Sequence, residues 1–245
     1  MRFSNKTVIV TGGGGGIGLA IAQRFSSEGA NIVLADINMD QLQKAGTQLQ
    51  QANNSIPLLQ QCDVSNEQQV AATVTAAVSH FGSIDIIVNN AGLMIFKKLE
   101  EHTAEDWNRI LNVDLMGAFY FTKYAFLQMK NGGAIINISS IHAIETTPMV
   151  SSYAAAKAAI LSLTRSSAIE GKEKNIRVNA ILPGAIDTPM LWENPNIKAG
   201  LEQLSKDSVG KPEDIAGVAA FLASDDAAFV QGAMIDVDGG RLNRL

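Results

Sequence analysis

Short runs rich in Val, Ile and Leu, five to eight residues long, recur along the chain between longer stretches whose apolar residues return at helical spacing. Near-continuous apolar runs suit strands covered on both faces, because both alternating sets of side chains must be kept from water. The runs KTVIV, NIVLAD, IPLLQQCD, IDIIVNN, GAIINIS, IRVNAIL and MIDVDG therefore predict seven strands. The intervening stretches predict helices near 17–29, 39–53, 67–81, 104–130, 152–171 and 212–223. Ser65 and Thr103 stand at N-cap positions, and Thr103 with Asp106 makes a capping box if Asp serves for the usual Glu. Regular alternation of strand and helix predicts a doubly wound α/β fold, with a seven-stranded parallel sheet and helices on both faces. Ligands of such sheets bind beyond the strand C-termini, where strand order reverses.

Composition narrows the function classes. The 245 residues contain no linker, internal repeat or long charge run, which predicts one domain spanning 1–245. A net charge of −5, with both signs interspersed, offers no electrostatic footprint for nucleic acid or an anionic membrane. The opening MRFSNKTVIVTGG enters a strand too early for a signal peptide, and no later run has transmembrane length, so a cytoplasmic location is expected. Cys62 is the one cysteine, which excludes an internal disulfide or a thiolate cluster and reads most simply as a buried apolar residue. His80, His102 and His142 lack metal-ligand spacing, and no metal is expected.

The first predicted strand runs into TGGGGGIG and then a helix. Glycines let the backbone approach a pyrophosphate, and the helix N-terminus offers unpaired N–H groups and a positive dipole end. Two registers fit: Gly13, Gly15 and Gly18 as GxGxxG, or Gly12, Gly16 and Gly18 as GxxxGxG; a merely flexible turn would also look like this. Asp36 ends the second strand, eighteen positions after Gly18, where an acidic residue receives ribose hydroxyls. A carboxylate there accepts from a free 2′-hydroxyl and repels a 2′-phosphate. No Arg or Lys lies in the glycine loop or beside Asp36, so NAD is expected over NADP, unless Asp36 is only a solvated turn residue. Asp63 and Val64, closing strand three, stand where an adenine could rest.

In SSYAAAKAA, Tyr153 and Lys157 are four apart and share one helix face. A neighbouring ammonium favours phenolate and would bring the phenol's pKa down from about 10 towards working pH, where it can act as a general acid/base.

These strings resemble the short-chain dehydrogenase/reductase family, whose Rossmann-like pattern the chain follows from Thr7 to the DGG at Asp238–Gly240. The family's TGxxxGIG implies the register Gly12, Gly16, Ile17 and Gly18, and its NNAG falls on Asn89, Asn90, Ala91 and Gly92. The resemblance implies the catalytic set Asn112, Ser140, Tyr153 and Lys157, with Ser140 preferred to Ser139 because it lies thirteen before the tyrosine. It further implies that Pro183, Gly184, Ile186 and Thr188 hold the nicotinamide end, and that Lys157 also holds the nicotinamide ribose. Asn112 would hold a proton-relay water from a local helix distortion. The nucleotide part would cover about 1–92 and the catalytic and substrate part about 93–245.

By this resemblance the protein is an NAD-dependent oxidoreductase interconverting a secondary alcohol and a ketone. Substrate-pocket candidates are Met94, Phe96, His142, Glu145, Met149, Met190, Trp192, Glu193 and Asn194, a mixed set suited to a sugar, polyol or cyclic alcohol. His142 is equally explained as a packed or solvated side chain. The segment from Pro189 to Lys206 has room for one small lid helix. Ser208 and Val209 depart from the Arg and apolar residue common in the family before KPEDIA. A homotetramer is implied as the assembly, although the Ala-rich face after Tyr153 fits burial within one chain as well. The rivals are a 3-oxoacyl thioester reductase and, in another class, a catalytically idle NAD-sensing protein. The intact proton-transfer set argues against the latter.

Overall fold

The computed structural model describes residues 1–53, 55–200, 204 and 209–242. Seven strands, β1 (Thr7–Thr11), β2 (Asn31–Asp36), β3 (Leu58–Gln61), β4 (Ile86–Asn89), β5 (Gly133–Ile138), β6 (Ile176–Pro183) and β7 (Met234–Val237), form one sheet in the order 3-2-1-4-5-6-7. Every pairing is parallel. The seven expected strands are all present, with ends shifted by a residue or two at most sites.

Period-two alternation sorts the strand side chains between two helical layers. Val8, Val10, Ile32, Leu34, Val88 and Ile136 face α1 (Gly16–Ser27), α2 (Met39–Asn53) and α9 (Pro212–Ala223), meeting Ile21, Phe25, Leu42, Leu49 and Ile215. Ile9, Val33, Ile87, Ile135 and Val178 face the other way, towards α3 (Glu67–Phe81) and α5 (Gly117–Gln128), meeting Val70, Val74, Phe121 and Ala125. Each central strand thus buries both faces, which is why its sequence is almost uniformly apolar. Strand order reverses beside β1, whose neighbours are β2 and β4, so their C-terminal ends, Thr11, Asp36 and Asn89, frame a crevice.

Three local expectations are corrected. The cap of α3 is Asn66, whose side chain accepts from the N–H groups of Gln68 and Gln69, while Ser65 bonds to Asp63. The single helix expected over 104–130 is α4 (Ala104–Ile110), a π-helical turn (Leu111–Met116) and α5. Third, among the described residues the segment after Thr188 carries α7 (Pro189–Trp192) and α8 (Pro195–Lys198), where one small helix was expected. Its far end at Lys206, and Ser208, lie outside the described residues. The Thr103 capping box forms as read: Asp106 N–H donates to Thr103 Oγ1 at 3.2 Å and Thr103 N–H to Asp106 Oδ2 at 2.9 Å. No helix among the described residues is long and apolar enough to cross a membrane.

Candidate active site

The sheet's C-terminal edge opens into a cavity of about 710 Å³, walled at one end by Gly14, Asp36 and Gln41 and at the other by Met94, His142, Met190 and Leu191. Between them lie Gly12, Gly16, Ile17, Asn90, Ala91, Gly92, Pro183, Gly184, Ile186 and Thr188.

The glycine turn is built around Gly12, Gly16 and Gly18. Gly12 and Gly16 have φ of +63° and +51°, a region side-chain-bearing residues avoid. A β-carbon at Gly18 would overlap the Gly12 carbonyl oxygen. The same corner is fastened to β4: Thr11 Oγ1 accepts from the N–H groups of Asn90 and Ala91, both at 2.9 Å, and Asn90 Nδ2 donates to the Thr11 carbonyl at 2.9 Å. Asp36 is held by Gly14 N–H at 3.1 Å and Asn38 N–H at 3.0 Å, which leaves acceptor capacity on its carboxylate. A tight turn opening α1, with a carboxylate one strand away, fits a dinucleotide: backbone amides for the pyrophosphate and an acceptor for ribose hydroxyls.

At the other end, α6 (Ser151–Gly171) carries Tyr153 and Lys157, both buried, with the Lys157 ammonium 5.4 Å from the Tyr153 ring centroid. Ser140 leaves the end of β5 as the cap of a 3₁₀ turn and accepts from His142 N–H at 3.2 Å. The His142 ring packs edge-on against Tyr153 at 5.9 Å. Ser139 is engaged elsewhere: its hydroxyl donates to the Lys157 carbonyl at 2.8 Å. Lys157 Nζ donates to the Ile138 carbonyl at 3.2 Å and lies 3.2 Å from Asp114 Oδ2. Leu93 N–H donates to the other oxygen of Asp114 at 3.0 Å.

Asp114 corrects the assignment of Asn112. Two residues on a helix differ by about 160–200° in direction. Asn112 accordingly faces solvent, while Asp114 faces the core and Lys157. The π-helical turn supplies the distortion expected there, closed by Gly117 N–H donating to the Asn112 carbonyl.

The electrostatics also differ from the sequence reading. Burial raises the pKa of Tyr153; Lys157 draws it down, Asp114 pushes it up again and a hydrogen bond from Ser140 lowers it, with a net rise rather than the expected fall. Burial opposes the charge on Lys157, but Asp114 and Tyr153 outweigh it and keep the amine above its ordinary value. Asp114 is raised by burial, against the pull of Lys157 and the Leu93 amide. Asp114 and Lys157 share one proton, and the roughly six units between carboxylate and amine in water place it on nitrogen.

Of the remaining predicted residues, Asp63 and Val64 stand outside the cavity wall. The Asp63 carboxylate accepts from Ser65 N–H and Oγ, and Val64 packs where a β-carbon on Gly117 would collide. Glu145 is exposed, Met149 presents its carbonyl to Lys97 N–H, and Trp192 is half-exposed with its indole donating to Asp187 at 2.7 Å. None of these three lines the cavity, whereas Met94, His142, Met190 and Asn194 do. The wall also includes Gln41, Lys44 and Arg241, whose sequence context carried no motif. Asp114 did leave a signal: a carboxylate inside the apolar string LNVDLMGAF requires a buried partner.

A nucleotide cradle at a sheet switch point, adjoining a buried Ser–Tyr–Lys cluster, defines a nicotinamide-dependent oxidoreductase acting on CH–OH groups. The family model described as enoyl-(acyl carrier protein) reductase matches residues 12–241. The chain is 41% identical over 247 aligned residues to a 3β-hydroxysteroid dehydrogenase 1 of Eggerthella lenta, covering 97% of this chain and 94% of that protein. A levodione reductase crystal structure superposes with a TM-score of 0.93 at 36% identity over the full length of both chains. An NAD⁺-bound xylitol dehydrogenase does so with a TM-score of 0.90 at 33% identity, over 98% of this chain and all of that one. The protein belongs to the short-chain dehydrogenase/reductase family and interconverts an alcohol and a ketone.

Proposed function

We propose that the protein is an NAD(H)-dependent oxidoreductase of a cyclic or polyhydroxylated secondary alcohol and its ketone, with Tyr153 as the general acid/base. The observation that carries this reading is the buried Tyr153 on the cavity wall, with Ser140 and Lys157 acting on its phenol. A bound nicotinamide supplies the hydride acceptor or donor. Tyr153 takes the alcohol proton in oxidation and returns it in reduction. Ser140 donates to the substrate oxygen, a bond that strengthens as that oxygen gains charge. Lys157, fixed by the Ile138 carbonyl and Asp114, keeps a positive charge beside the phenol. Gly12, Gly16 and Gly18 admit the pyrophosphate, and Gly92, Gly184 and Thr188 border the nicotinamide end.

NAD preference rests on Asp36 at the adenosine end, whose charge repels a 2′-phosphate. Lys44 in the same wall lies three residues along α2 from Gln41 and is the nearest sequence source of compensating charge. For the substrate, Met94, Ile141, Met190 and Leu191 supply apolar contact, and His142 and Asn194 polar contact. That mixture favours a ring or short chain bearing hydroxyls, and relatives named for a hydroxysteroid and xylitol accord with it. A 3-oxoacyl thioester is the second reading, favoured by relatives named 3-oxoacyl-[acyl-carrier-protein] reductase at 36% and 40% identity.

The test is nicotinamide absorbance with NAD or NADP across steroid alcohols, polyols, cyclic alcohols and 3-hydroxyacyl thioesters. Turnover of a cyclic or polyol substrate with NAD at least tenfold more efficient is expected. Turnover of the thioester alone, or a preference for NADP, would reject the substrate or the cofactor assignment respectively.

A further inference from the structure

Lys157 meets a carboxylate as well as a phenol, and holding the ammonium in place does not by itself require that group to carry a charge. Asp114 is wholly buried: its side chain has no exposed surface and that of Lys157 is 4% exposed. One oxygen takes the Leu93 N–H at 3.0 Å and the other faces Lys157 Nζ at 3.2 Å. A β-carbon on Gly92 would lie 2.9 Å from Asp114 Oδ2 and 3.1 Å from Lys157 Nζ. The glycine closing NNAG thus leaves the gap in which the two charges meet. A carboxylate so deeply buried is costly unless paired, and its replacement by a packed apolar residue would often leave the fold as stable. Its position against the catalytic ammonium therefore calls for a functional reason.

We propose that Asp114 is a positioning residue for the Tyr153 proton transfer: it anchors the Lys157 ammonium beside Gly92 and offsets its charge, so that Tyr153 meets the substrate as a proton donor. This rests on the reading of Tyr153 as general acid/base. Without Asp114, the cluster of neutral phenol and ammonium carries one net positive charge, which loss of the phenolic proton would relieve. With Asp114 it is neutral, and losing that proton leaves a net negative charge in a buried site. Among the described residues, the charged or titratable groups around Tyr153 are Lys157 on its own helix, Asp114 from the π-helical turn and His142 from the 3₁₀ turn after β5. Protonated His142 would act in the same direction as Lys157. Burial and Asp114 together outweigh Lys157 and hold the phenol above its ordinary range. The consequence is a displaced pH window: ketone reduction, which needs the phenol, persists into alkaline solution, and alcohol oxidation, which needs phenolate, rises only there. The reaction's equilibrium is untouched.

The experiment compares wild type, Asp114→Asn, Asp114→Ser and Tyr153→Phe by ultraviolet phenolate titration without cofactor and by kcat/KM against pH in both directions. Subtracting the Tyr153→Phe titration removes Tyr120 and Tyr124. In Asp114→Asn the Tyr153 phenolate and the limb of the oxidation profile should both move to lower pH by about one unit or more, the effect of a removed neighbouring charge. Asp114→Ser, which leaves room for water, should shift the same way and serves if Asp114→Asn does not fold. Folded variants whose phenolate titration matches wild type, or moves to higher pH, would overturn the role of Asp114. Failure of the underlying reading looks different: Tyr153→Phe would itself keep its turnover.

Discussion

Asp36 and Gly14 make one end of the cavity through a backbone bond to a carboxylate, and that pairing sets a residue-scale prediction. Asp36→Ala should lower kcat/KM for NAD by about tenfold or more through lost charged hydrogen bonds to the ribose. It should also bring in NADP turnover, with Lys44 on the same wall. Unchanged cofactor preference in parallel NAD and NADP kinetics would contradict the assignment. Asp36, Tyr153 and Lys157 were legible because each sits at a fixed interval from a strand end or within one helical turn of its partner. Asn112 was misread for a related reason. A string match fixes its position only to within a residue or two, while a helix turns by half a circle in two residues, so the side chain that reaches Lys157 belongs to Asp114. The net rise of the Tyr153 pKa was hidden with it, since both burial and the Asp114 charge are tertiary facts.

Elements were legible where one physical rule governs the whole segment. The two-sided burial of the central strands and the amphipathic period of α3 and α9 put their bounds within a residue or two. Periodicity has no mark for a π-helical turn, which shifts a helix face without changing composition, so residues 111–116 read as part of one long helix. The cap of α4 shows how a local pair sets pH dependence. Lys97, 2.7 Å away, and the Thr103 hydrogen bonds hold Asp106 at about 2. A folded-state pKa below the unfolded one contributes stability above the unfolded value and loses it as pH falls through the folded one. Melting temperatures of wild type and Asp106→Asn should therefore differ above pH about 4 and converge as pH drops towards 2. A constant difference across that range would show that the carboxylate does not act through ionisation.

The whole molecule follows from one alternation of strand and helix, which predicts parallel pairing and places the cavity at the strand C-termini. The exact lining near Gln41, Lys44 and Arg241 depends on how helices and the C-terminal segment close over the sheet. Apolar side chains also remain outside: Leu127 on α5, Ile169 on α6 and Phe229 before β7 are well exposed. We propose that these faces pack in a homotetramer, with light scattering giving four times the chain mass; a monomer at micromolar concentration would reject that assembly. Proton transfer at Tyr153 underlies every other assignment in the cavity, and the Tyr153→Phe variant isolates it. Steady-state turnover and NADH binding should be measured side by side on this variant. Turnover should be lost and binding nearly intact; turnover above a few per cent of wild type, with binding unchanged, would remove Tyr153 from the proton transfer.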